Sequence, residues 1–135
     1  MKIDDVTGTI IRAALRVHSQ LGPGLLESVY SACLVYALQA SGSRVRTQVP
    51  ITIGFDDNRI ESGVRLDLLV ENSVIVEVKA VERLVPLHAS QLLSYLRLSD
   101  LRVGLLLNFN VRHMRQGIKR VVNRFEPGSE VDPGF

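Results

Sequence analysis

The chain is predicted to adopt an α/β fold: a central mixed sheet flanked by helices, in the order helix, helix, three strands, helix, strand and a short C-terminal element. Three observations predict it. Apolar residues recur at helical spacing through the first forty positions. Runs rich in Val, Ile and Leu follow in the middle of the chain and again near residue 105. Gly, Pro, Asp and Asn gather at the junctions between these segments.

Residues 6–20 read as the first helix, with Ile10, Ala14, Val17 and Leu21 on one face, and Gly22-Pro23-Gly24 ends it. A second helix spans 25–40, with Gly42 as its stop signal. Residues 44–55 carry the β-branched Val45, Thr47, Val49, Ile51, Thr52 and Ile53, and Pro50 marks this strand as an edge or a bulge. Asp56-Asp57-Asn58 forms a turn, and 59–70 and 73–80 are the strands of a hairpin around Glu71-Asn72-Ser73. Pro86 introduces a helix over 87–98, and 102–109 reads as a buried strand. Residues 111–123 stay open: apolar positions 111, 114, 118, 121 and 122 suit a helix, whereas 118–122 could equally be a strand.

A length of 135 residues with 46% hydrophobic content fits one domain over 1–125, followed by a loose tail at 126–135 with two Pro-Gly pairs. No uncharged apolar stretch of roughly 18 residues exists, so no membrane span is expected. The N-terminus lacks the layout of a signal peptide, and the single Cys33 cannot form an internal disulfide, which fits a reducing cytoplasm. Cys33 lies in an apolar helical stretch, where core packing is a better reading than nucleophilic chemistry. Net charge is only +2, but 101–125 contains no acid while Arg102, Arg112, Arg115, Lys119, Arg120 and Arg124 are basic. Such a stripe suits a polyanion backbone or, equally, a solvated face.

Asp67, Glu77 and Lys79 interrupt the two apolar hairpin strands. An unpaired charge inside a core strand costs several kcal/mol, so something must compensate for them. With a three-residue loop, Val70 pairs with Val74 and Asp67 falls opposite Glu77. Directly opposed residues of this kind have Cβ atoms about 4.5–5.5 Å apart. A two-residue loop would put the carboxylates on opposite faces. Two ionised carboxylates so close repel by about 3 kcal/mol at an effective dielectric near 20. They can share a proton, form a salt bridge with Lys79, or bind a hard cation such as Mg²⁺. On the third helix His88, Gln91 and Tyr95 form one polar stripe, and on the second Gly24, Glu27 and Tyr30 share a face. No zinc spacing, phosphate-binding glycine loop, dinucleotide fingerprint or nucleophile elbow is present.

Asp67 followed after nine residues by Glu77-x-Lys79, and then by a helix carrying Gln91, resembles the PD-(D/E)xK nuclease superfamily. Within it, the chain is similar to the small bacterial GxxExxY group, whose name motif stands here as Gly24-Leu25-Leu26-Glu27-Ser28-Val29-Tyr30. Further matching blocks surround Asp67, Glu77, His88 to Leu96, and Gly104 to Phe109. The proline usual before the first acid is absent, Leu66 standing in its place. The resemblance implies a restriction-endonuclease-like core, with a strand at 118–122. It implies a Mg²⁺ or Mn²⁺ ion held by Asp67, Glu77 and the backbone carbonyl of Val78, with Lys79, Glu27 and Gln91 completing the catalytic set and Tyr30, His88 and Tyr95 as auxiliaries.

The activity implied is hydrolysis of nucleic-acid phosphodiester bonds, with Arg112, Arg115, Lys119 and Arg120 against the backbone. The competing expectation is a nuclease-fold module that binds nucleic acid or a protein without turnover. A second copy of the chain or a protein partner could supply target choice in either case.

Overall fold

The structure is a computed structural model that describes residues 2–124, so the tail expected at 126–135 lies outside the described residues. Helix α1 (Ile3–Leu21) starts earlier than its apolar period suggests, because Asp4 and Asp5 in its first turn complement the helix dipole. Helix α2 (Glu27–Ala40) begins later than the apolar run does. The hydroxyl of Tyr30 takes a hydrogen bond from Leu25 N–H at 3.1 Å and donates to Gly22 O at 2.6 Å, holding the preceding residues as a loop. The remaining elements are β1 (Val45–Phe55), β2 (Asn58–Val70), β3 (Val74–Lys79), α3 (Pro86–Ser99), β4 (Val103–Asn108) and β5 (Ile118–Val122).

The five strands form one mixed sheet in chain order. Neighbours pair antiparallel except β3 and β4, which run parallel with α3 as their crossover. Helices α1 and α2 cover one face, against Leu68, Val70, Val74, Val76, Val78, Leu105 and Leu107. Helix α3 covers the other with Leu92 and Leu96, against Leu66, Leu69, Ile75, Leu106 and Val121. Strands β3 and β4, covered on both faces, are therefore almost continuously apolar and buried. Among the described residues no helix is long and apolar enough to cross a membrane.

Pro50 has both of the roles its position suggested: β1 is an edge strand, and its register slips between Pro50 and Thr52. The segment left open at 111–123 is a short 3-10 turn (Met114–Gly117) followed by strand β5. Its apolar spacing is helical, but main-chain pairing with β4 from Leu107–Ile118 to Val103–Val122 decides the outcome.

Two glycines allow close approach. A Cβ on Gly104 would crowd the Leu92 side chain of α3, and one on Gly117 would overlap the main-chain carbonyl oxygen of Asn108. A side chain can shift where a strand backbone cannot. Gly117→Ala should therefore destabilise the protein by on the order of 3 kcal/mol, and Gly104→Ala by about 1. Urea unfolding measures both, and equal losses would show that the backbone at Asn108 yields as readily as the Leu92 side chain.

Candidate functional site

The β2–β3 register is Val70–Val74, Leu69–Ile75 and Leu68–Val76, which fixes a three-residue loop. The main-chain ladder then stops. Asp67 and Glu77, next in line, reach across with their side chains instead. Val78 N–H donates to Asp67 Oδ2 at 2.9 Å, and Asp67 N–H approaches Glu77 Oε2 at 3.4 Å. The cause lies partly in the neighbouring strand. Thr47–Leu68 and Val49–Leu66 pair, but Gln48, opposite Asp67, has φ +51° and drops out of the ladder. Side-chain alternation slips at the same place: Leu68 and Val70 pack under α1 and α2, whereas Leu66 packs under α3. Asp67 thus sits at a kink shared by two strands, where main-chain groups are free to take side-chain partners.

Glu77 is buried, and its Oε1 has no hydrogen-bond partner. Its pKa is pushed up to about 9, first by burial and then by its hydrogen bond with, and the negative charge of, Asp67. Lys79 opposes this shift only weakly, and no ion pair joins it to either acid among the described residues. The salt-bridged pair that the sequence left open is not what the structure shows. Tyr95, half-buried on α3, has its pKa raised by burial and then by the charges of Glu77 and Asp67, which places its hydroxyl within their field.

The other residues singled out from the sequence are distributed around this pair. Glu27, at the start of α2, accepts a hydrogen bond from Ala80 N–H at 3.3 Å, just beyond Lys79. It does not close a cluster with Asp67 and Glu77: among the described residues no group of three or more His, Cys, Asp or Glu side chains is placed to hold a metal. Gln91 is exposed on α3, one turn before Tyr95, and its side chain makes no hydrogen bond among the described residues. His88 accepts from Val85 N–H through Nδ1 at 3.1 Å and so closes the start of α3. Tyr30 is fully buried and stacks on Phe109, with ring centroids 4.7 Å apart.

The basic run is divided by the fold. Arg112 and Arg115 project from the loop after β4, while Lys119 and Arg120, opposite Leu106 and Leu105, point to different faces of β5. Arg120 pairs with Asp4 at 3.4 Å. The loop is well anchored: His18 Nε2 donates to Val111 O at 2.7 Å, and Met114 is buried.

Asn108 is a residue that the sequence reading passed over. It is buried at the end of β4, beside Lys79 in register. Its Oδ1 accepts from Val81 N–H at 3.0 Å and Asn110 N–H at 3.2 Å, while its Nδ2 donates to Val81 O at 3.0 Å. Phe109 N–H meanwhile binds Lys79 O at 2.9 Å. The main chain leaving Lys79 is therefore held by Phe109, Glu27 and Asn108 in turn. The signal was available, since Asn108 ends an otherwise apolar strand just as Glu77 and Lys79 interrupt theirs.

A mixed sheet with helices on both faces and an acid pair at the broken edge of a hairpin is the architecture of a nuclease-type core. The chain belongs to the PD-(D/E)XK nuclease superfamily, whose family profile matches residues 4–121. The crystal structure of SSO0001 is similar in fold, with a TM-score of 0.52 at 19% identity, over 90% of this chain and 67% of that one. No curated protein sequence matches the chain.

The raised pKa has a thermodynamic consequence. In the cation-free protein the folded state holds a proton on Glu77 that the unfolded chain, with a value of 4.5, releases. This contribution to stability is complete below pH 4.5 and is lost progressively as pH rises towards 9. Glu77→Gln, which needs no proton, should flatten that decline and be more stable than the parent at pH 9 in chelator. Thermal melts across this range test it, and parallel pH profiles for the two proteins would disprove it.

Proposed function

We infer that the chain hydrolyses nucleic-acid phosphodiester bonds with the help of a divalent cation, Mg²⁺ or Mn²⁺. The observation that carries this reading is the buried, unpartnered Glu77 Oε1 beside the Asp67 carboxylate. The pair can exist there by retaining one proton on Glu77, and a hard cation satisfies the same oxygens without one. The two carboxylates would hold it together with the Val78 carbonyl. In an extended strand the N–H and C=O of one residue point to the same side, and Val78 N–H already points at Asp67. When bound, such an ion polarises a phosphodiester and offsets developing negative charge.

The chain's own groups supply the rest. Lys79, its backbone fixed by Phe109 and the clamp beyond it, presents an ammonium beside the acid pair to stabilise charge on the phosphate. Glu27 acts through Ala80 by holding the segment that follows Lys79. Gln91 and Tyr95, on successive turns of α3, orient water or substrate from the other side, with His88 fixing the start of that helix. Tyr30 holds the loop that leads into Glu27. Arg112 and Arg115 meet the nucleic-acid backbone, with Lys119 and Arg120 further along the same edge. The Glu27–Tyr30 spacing supports membership of the GxxExxY group.

A second reading is favoured by Glu27 lying on Ala80 N–H rather than with the acid pair: a nuclease-fold module that binds nucleic acid or a protein without turnover. Cleavage of labelled single- and double-stranded DNA and RNA, with Mg²⁺ or chelator, separates the two. Turnover by the parent should disappear in chelator and in Asp67→Ala, and fall about 10²–10³-fold in Lys79→Ala. Cleavage that survives Asp67→Ala would place the chemistry elsewhere, and tight binding without any cleavage would support the module.

Binding supplies a separate measure. Removing two phosphate contacts with Arg112→Ala and Arg115→Ala together should reduce the slope of log affinity against log salt by about 2. An unchanged slope would exclude the loop from the interface.

A further inference from the structure

A second polar cluster lies apart from the acid pair. Between the end of α1 and the loop after β4 is a pocket of about 410 Å³, floored by the half-buried Leu15 and the buried Met114. Ser19, Arg112, His113 and Arg115 form its exposed rim. The pocket is preformed, because the bond from His18 to Val111 O ties the loop to α1.

The rim is positive and uncompensated. Neither residues 6–21 nor residues 101–125 contain an acid, and Arg112 and Arg115 form no ion pair among the described residues. The nearby α1 carbonyls are already engaged, His18 O by Gly22 N–H at 2.8 Å and Arg16 O by the Ser19 hydroxyl at 3.2 Å. Two guanidinium forks without a partner select a phosphate or a carboxylate. The floor selects further. An inorganic anion gains nothing from Leu15 and Met114, whereas a nucleobase buries a flat apolar face there and can stack on His113. The volume suits one such unit, so the matching chemistry is that of a nucleoside phosphate.

The position of the pocket indicates its source. Asn108 neighbours Lys79 across the sheet and Arg112 is four residues further on, so the pocket lies within about 20 Å of that lysine. The two are on different faces: Val76 and Val78 pack against α1 and α2, which turns Glu77 and Lys79 the other way. A polynucleotide that reaches both must bend round the end of the sheet. A duplex, stiff over about 150 base pairs, resists such a bend, and its paired bases cannot enter a pocket. An unpaired strand can do both.

We propose that this pocket binds one unpaired nucleotide of a nucleic-acid strand, its phosphate between Arg112 and Arg115 and its base on Leu15 and Met114. The pocket then selects single-stranded substrate for the nuclease activity inferred above, on which that role rests, while binding itself needs no turnover.

Adenosine monophosphate, titrated into the full chain in chelator and followed by amide NMR, should shift Ser19 and residues 112–115 more than Lys119 and Arg120. Inorganic phosphate should need about a tenfold higher concentration, because it lacks the base. A single strand of about ten nucleotides should bind through the same residues about tenfold more tightly than the free nucleotide, and a blunt duplex of that sequence should leave them unmoved. Ser19→Trp, at an exposed position where an indole can fill the pocket without changing its charge, should weaken strand binding on the order of 10-fold. Circular dichroism confirms that this variant is folded. Equal shifts along all the basic residues, equal binding of phosphate and nucleotide, a free nucleotide that binds as tightly as the strand, a duplex that binds there as well, or undiminished strand binding by Ser19→Trp would each overturn the proposal. Cleavage plays no part in these measurements, so their failure leaves the nuclease reading intact, and an inactive chain that passes them keeps the pocket.

Discussion

Everything at the candidate site follows from one break in main-chain pairing. Strands β2 and β3 pair as far as Leu68 and Val76, and from there the carboxylates of Asp67 and Glu77 occupy the places that the opposite strand's carbonyls would have filled. An intact ladder would leave neither room for these side chains nor main-chain N–H groups for them to bind. The positive φ of Gln48 and the slipped alternation at Leu66 show that the edge strand gives way at the same level. Glu77 is buried beside the half-buried Asp67, so water solvates its charge poorly. Its carboxyl instead retains a proton far above the usual carboxylate range.

Around this break the fold divides its labour. Strands β3 and β4, sealed by helices on both faces, supply rigidity, while their parallel arrangement brings the end of β3 and the loop after β4 to the same edge of the sheet. The main chain from Lys79 to Val81 is held there by Phe109 N–H, the Glu27 carboxylate and the Asn108 amide in turn, so the position of the flexible Lys79 side chain starts from a fixed origin.

Much of this was legible in the sequence, for a physical reason. Side chains alternate along the hairpin from its loop as far as Asp67, so Glu71-Asn72-Ser73 as a three-residue loop was enough to set Asp67 beside Glu77. Likewise Gly22-Pro23-Gly24 and Pro86 announced element boundaries through backbone chemistry alone. What failed to show depends on partners distant in the chain. The strand at Ile118–Val122, which the family resemblance implied, could not be read from its own helical apolar spacing and is decided by pairing with β4. Lys119 and Arg120 looked like parts of one basic stripe, but a strand sends adjacent residues to opposite faces. Glu27 looked like a third carboxylate, and its bond to Ala80 could be seen only once α2 was placed against the end of β3. Asn108 was different: a polar residue in an apolar strand was visible, and the rule that drew attention to Glu77 applied equally to it.

The stack of Tyr30 on Phe109 joins two segments far apart in the chain. Tyr30 also ties down the loop before Glu27, and Phe109 lies next to Asn108 and binds Lys79 through its amide. The acid of α2 and the lysine of β3 therefore share a single hinge-free mount. Insertions in the loop between α1 and α2, or in the turn just after β4, cannot be absorbed locally, because either would carry both side chains with it. Added loop length should be tolerated better at the Asp56-Asp57 turn and the end of α3, which hold neither side chain.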